Sequence, residues 1–116
     1  MMKMLIQLDE ERIKADGKYS SKKMWDFIDE VFEDKKCIKE VQPDGSVMYS
    51  GNPNSNSLLA DFCYAHWTFV KWNLFAKYCS KWIWYDNEFD EDSPFDEDDV
   101  LAKERIRTPL FAKYGR

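Results

Sequence analysis

Cys63 and His66 stand three residues apart, a spacing that puts two side chains on one helix face and lets an imidazole take a thiol proton. Phe62, Tyr64 and Trp67 crowd this pair, and apolar surroundings raise a thiol's pKa instead of activating it. The expectation is an inert, buried Cys63 and a partly buried His66, with no catalytic residue. Cys37 and Cys79 complete the ligand types of a Cys₃His zinc site, but no short paired-cysteine spacing occurs. If Cys63 and Cys79 lie on one continuous helix, they are about 24 Å apart at ~1.5 Å per residue, so no metal is expected.

The densest group of candidate ligands is acidic. Asp86, Glu88, Asp90, Glu91, Asp92, Asp96, Glu97, Asp98 and Asp99 fall within one short stretch, and without them the net charge of −5 becomes +4. Aligned as a calcium loop from Asp86, the stretch has Glu91 at the position where the sharp turn needs glycine, and Pro94 at the ninth. Calcium is therefore not expected. Two readings remain: a solvated loop, or a set of carboxylates that occupies a basic groove on a nucleic-acid-handling partner by mimicking phosphate.

Aromatic residues make up 16% of the chain, more than a small core easily hides. In Trp82-Ile83-Trp84-Tyr85 both alternating sets are apolar, so both faces of a strand there need cover. Either the segment holding Leu110, Phe111 and Tyr114 folds back over the second face, or the aromatic surface meets a partner or a second copy of the chain. A different class of function would use Tyr64, His66, Trp67 and Trp84 as an aromatic pocket for a small molecule.

The elements that must carry these groups follow from periodicity. Met4, Ile6 and Leu8 alternate with less apolar neighbours, giving a strand over about 3–8. Ser20 caps a helix over about 21–34, whose apolar residues Met24, Trp25, Phe27, Ile28, Val31 and Phe32 recur at helical spacing. Gln42-Pro43-Asp44-Gly45 turns a hairpin between 37–41 and 46–50. Leu58, Phe62, Ala65, Phe69, Trp72, Ala76 and Cys79 fit one long helix over about 56–79, with Thr68 the candidate break. A strand over 81–85 follows, and Ser93-Pro94 starts a short helix reaching about Ile106.

This order predicts an α+β protein, a two-layer βαββαβ sandwich of ferredoxin-like (split βαβ) type. Residues 1–85 form the core domain, and 86–116 add an acidic loop, a short helix and a tail to that single domain. At 116 residues there is space for one domain. Three cysteines read as reduced thiols. The opening apolar run breaks at Asp9-Glu10-Glu11, short of a secretory core, and no stretch is apolar enough to span a membrane. Phosphate-cradling and hydrolase motifs are absent. The expectation is a non-enzymatic cytoplasmic protein without cofactor that acts on a basic protein partner, with no direct contact to nucleic acid or membrane.

Overall fold

Alternation makes β1 (Met2–Leu8) the middle strand of a sheet: Met2, Met4, Ile6 and Leu8 are buried, while Lys3, Leu5 and Gln7 are half-buried on the opposite face. A computed structural model describes residues 1–72, 74–87 and 95–104. A helix not expected from the sequence follows, α1 (Glu10–Asp16), capped by the Asp9 side chain, which accepts from the Arg12 backbone N–H. Gly17 closes it at φ +64°, the left-handed conformation that lets its N–H reach the Ile13 carbonyl. Only Ile13 in this helix is buried, so it carries no apolar period.

Helix α2 (Ser21–Glu33) agrees with the expected span, with Ser20 as its cap and Met24, Ile28, Val31 and Phe32 buried. Strands β2 (Ile38–Val41) and β3 (Val47–Ser50) form the expected hairpin, paired from Ile38↔Ser50 to Val41↔Val47. Its turn passes through Gly45 at φ +88°.

The long helix is divided. Helix α3 (Leu58–Lys71) ends where Trp72 turns extended, and the single turn α4 (Phe75–Tyr78) leads into β4 (Cys79–Asp86). Thr68 is not the break: its hydroxyl donates to the Tyr64 carbonyl and stays within the helix. Trp72 leaves the helix to pack edge-on against Phe27, with ring centroids 4.8 Å apart. A second correction concerns the acidic region. Asp96–Asp99, expected within the helix started by Ser93-Pro94, are strand β5 paired with β4, and helical structure begins only at residue 100. There the Asp99 carboxylate accepts from the Ala102 N–H at 3.0 Å, the contact of an N-cap.

The five strands form one antiparallel sheet in the order β2-β3-β1-β4-β5. Because β3 pairs antiparallel with both β1 and β2, those two run parallel with β3 between them, joined through α2. In the same way β3 and β4 run parallel on either side of β1, joined through α3. The molecule is thus a small α+β protein. On the helix-covered face Phe32 stacks on Tyr49 at 4.0 Å and Phe69 on Phe75 at 4.4 Å, with Phe62 and Trp82 completing the aromatic core. On the other face Leu5, Met48, Ile83 and Tyr85 are half-buried, and the Phe95 ring meets Tyr85 edge-on. Leu110, Phe111 and Tyr114, expected to cover this face, lie outside the described residues. Among the described residues no helix is long and apolar enough to cross a membrane.

Candidate functional site

Alternation along β4 sends Trp82 and Trp84 to the helix-covered face, and their surroundings then differ. Trp82 is 1% exposed, ringed by Phe69 and Phe75, with its indole N–H 3.2 Å from the Met4 sulfur. It is core, which corrects its assignment to a partner surface. Trp84, in the part of β4 that pairs with β5, is half-buried against Phe62 and His66. Its Nε1 is buried with no hydrogen-bond partner among the described residues.

Strand register decides which carboxylates join it. Trp84 lies opposite Asp98, Tyr85 opposite Glu97, and Asp86 opposite Asp96, so Asp86, Asp96 and Asp98 share the face of Trp84. These residues, with Glu97 and Leu59 of α3, line an open hollow of about 300 Å³. Two of the acids have structural partners: Asp98 holds Lys103 at 2.7 Å, and Asp99 caps the residue-100 helix. Asp96 and Glu97 make no ion pair among the described residues. Across the strand, burial and then the Glu97 charge raise the pKa of the Tyr85 hydroxyl. The arrangement suits a cation held by carboxylates beside an aromatic side chain. Glu88, Asp90, Glu91 and Asp92, the rest of the expected binding stretch, lie outside the described residues.

Of the four residues of the alternative pocket, three come together and Tyr64 does not. His66 packs among Trp82 at 5.3 Å, Trp67 at 5.7 Å and Trp84 at 5.9 Å. Tyr64 turns away to the other flank of α3, where the Lys35 ammonium sits 4.7 Å from its ring centre. Of the cysteines, Cys37 is held mainly by burial at a pKa of about 11, which keeps the thiol protonated near neutral pH. Cys63 is half-buried, and Cys79 is buried with its thiol donating to the Lys81 carbonyl. Among the described residues no group of three or more His, Cys, Asp or Glu side chains is placed to hold a metal ion.

Two features escape a reading of the sequence alone. Leu59 borders the hollow although it falls outside the buried stripe of Phe62, Ala65 and Phe69, and an apolar residue off its helix's stripe was the available signal. Elsewhere Lys18, Tyr19, Lys23, Trp72 and Leu74 border a shallow cavity of about 500 Å³, assembled from segments far apart in the chain. No known protein family, curated protein or solved structure matches this chain.

Proposed function

We propose that the chain is a non-enzymatic cytoplasmic interaction protein that binds a basic partner along its β4–β5 edge. The observation that carries this reading is β5 itself: four consecutive carboxylates form an outer strand of the sheet. Aspartate is a poor strand former, and placing Asp86 directly opposite Asp96 sets like charges against each other. A cationic surface arriving at this edge relieves that repulsion. It also gains from long-range steering, since the acidic stretch dominates the net charge. A partner whose basic groove handles nucleic acid is the sub-class that such carboxylates fit as phosphate mimics. For the fold, we read the two interleaved parallel pairs, β1 with β2 and β3 with β4, as a ferredoxin-like core extended by α1, α4 and β5.

The test is capture from source lysate on the immobilised chain, with mass-spectrometric identification. Basic proteins released by moderate salt, and lost when Asp96→Asn and Glu97→Gln are combined, are the expected result. Capture unchanged by that pair of substitutions would overturn the reading. A second reading, a small-molecule site beside Trp84, is favoured by the buried indole Nε1 without a hydrogen-bond partner among the described residues. Native mass spectrometry of the purified chain separates the two, because only the second expects a retained small molecule.

A further inference from the structure

Helical geometry divides α3 into two sides. Phe62, Ala65 and Phe69 face the core, and at 3.6 residues per turn Leu59, Cys63, Trp67 and Tyr64 fall on one outward arc of roughly 140°. Leu59, Trp67 and Tyr64 are 51%, 53% and 44% exposed. One exposed apolar side chain is ordinary, but three of this size on one arc form a patch. Its two flanks carry opposite charge. Leu59 opens onto the hollow of Trp84, Asp86, Asp96 and Asp98, while Lys35 covers the ring of Tyr64 on the far side.

Resting on the β4–β5 edge as a basic-partner surface, we propose that the outward arc of α3 seats an amphipathic helix of the partner, its arginines directed over the β5 hollow. From Leu59 to Trp67 the patch runs two turns, about 12 Å, which matches apolar anchors at i, i+4 and i+7 on an incoming helix. Arginine suits the acidic flank because its planar guanidinium stacks on an indole and forks to a carboxylate. The Lys35 side repels the same arginines, so the two flanks set the orientation of the bound helix. A second copy of this chain is disfavoured as the occupant, because each copy carries a net charge of −5.

The probe is a 16-residue helical peptide with leucines at i, i+4, i+7 and i+11 and arginines along one flank. Its control has the same composition with the period scrambled, and both are titrated into the full chain by fluorescence anisotropy. The patterned peptide should bind at least tenfold more tightly than the scrambled one. Leu59→Ala and Trp67→Ala should each remove most of that difference without moving the melting temperature, since both side chains are about half exposed. Val41→Ser, at an exposed apolar residue on β2, should leave it unchanged. If both peptides bind equally and both weaken in the Asp96→Asn/Glu97→Gln variant, charge alone acts; the edge reading then stands and the helix-docking inference falls. If neither peptide binds, both fall. Sedimentation showing a dimer of the chain that Trp67→Ala dissolves would assign the arc to a second copy and overturn the inference.

Discussion

The two edges of the sheet are built from opposite materials. Edge strand β2 is Ile-Lys-Glu-Val, with Ile38 and Val41 55% and 65% exposed, and its lysine is engaged within the molecule: Lys39 reaches Asp29 at 2.8 Å. Edge strand β5 is Asp-Glu-Asp-Asp, with no cation among its own residues. Both must avoid pairing with a second copy, and they do so differently. Antiparallel self-pairing of β2 about a two-fold axis normal to the sheet brings together residues of the same face. It therefore sets Lys39 against Lys39 or Glu40 against Glu40 at the centre, a like-charge clash in either register. At β5 every self-pairing is repulsive. What differs is how each charge is met: β2 is guarded by register and its lysine is paired with Asp29, whereas β5 is acidic throughout and, among the described residues, only Asp98 of its four carboxylates has an ion-pair partner, Lys103.

The largest expected effect tests whether both edges depend on one core. Phe69 is buried, stacked on Phe75 and edge-on to Trp82, so Phe69→Ala should cost about 3–5 kcal/mol. Urea titration followed by tryptophan fluorescence and by amide exchange in β2 and β5 should then show one transition. A loss below about 1 kcal/mol would mean that the apolar stripe of α3 has been misassigned.

A smaller effect should act on one edge alone. The buried Tyr49 hydroxyl donates to Asp29 at 2.6 Å, and Asp29 also holds Lys39, so β2 and β3 are tied to α2 through one carboxylate. Tyr49→Phe should cost about 1–2 kcal/mol, at the low side for a bond to a charged group because Asp29 keeps its lysine and some solvent. Amide exchange should rise in β2 and remain unchanged in β5. Equal loosening of both edges would show that this link is not specific to the hairpin edge.

How much of this was legible in the sequence depended on where the deciding contact lies. The hairpin turn at Pro43-Asp44-Gly45, the cap at Ser20 and the alternation of β1 are local, and the structure has them where the residues imply. The end of α3 is not legible locally, because Trp72 leaves the helix for a contact with Phe27, far away in the chain. Helix α1 was invisible to periodicity, although Asp9 and Gly17, its two caps, were present to be read. The misreading of β5 is the most instructive. Ser93-Pro94 followed by acids carries the cap, the first-position proline and the charge of a helix start, and pairing with β4 makes Asp96–Asp99 a strand. For the candidate site, the acidic stretch and Trp84 are legible as residue types, but the burial of Trp82 and the separation of Tyr64 from His66 are products of tertiary packing.

The hairpin end of the molecule should respond to acid through Asp44. Its carboxylate accepts from the Ser46 hydroxyl and backbone N–H and pairs with Lys81 at 3.0 Å, which together hold its pKa well below the ordinary carboxylate range. A folded pKa below the unfolded value of about 3.9 contributes stability that is present above that value and lost as pH falls below it. Thermal melts between pH 5 and pH 2 should therefore decline less steeply for Asp44→Ala than for the parent chain. Parallel declines would show that the contacts around Asp44 add nothing, and the pair is exposed enough for the effect to be modest.

The smallest expected change in stability comes from neutralising β5, and its size is the point of the comparison. Asp96→Asn relieves the clash with Asp86, and Glu97→Gln removes a charge with no ion pair among the described residues. Each should shift stability by no more than about 0.5 kcal/mol, with Asp96→Asn tending to stabilise. Added salt should stabilise the parent chain more than the double variant, because screening matters only while the repulsion exists. A spectroscopic check reports on Glu97 alone. Burial and the Glu97 charge together raise the Tyr85 pKa, so Glu97→Gln should lower it while leaving it above the value of a free tyrosine, burial being the larger cause. Ultraviolet titration of the phenolate, with Tyr85→Phe to identify its contribution, measures this directly. An unchanged Tyr85 titration would mean that Glu97 does not sit across from it in solution, and the register that places Asp86, Asp96 and Asp98 beside Trp84 would fall with it.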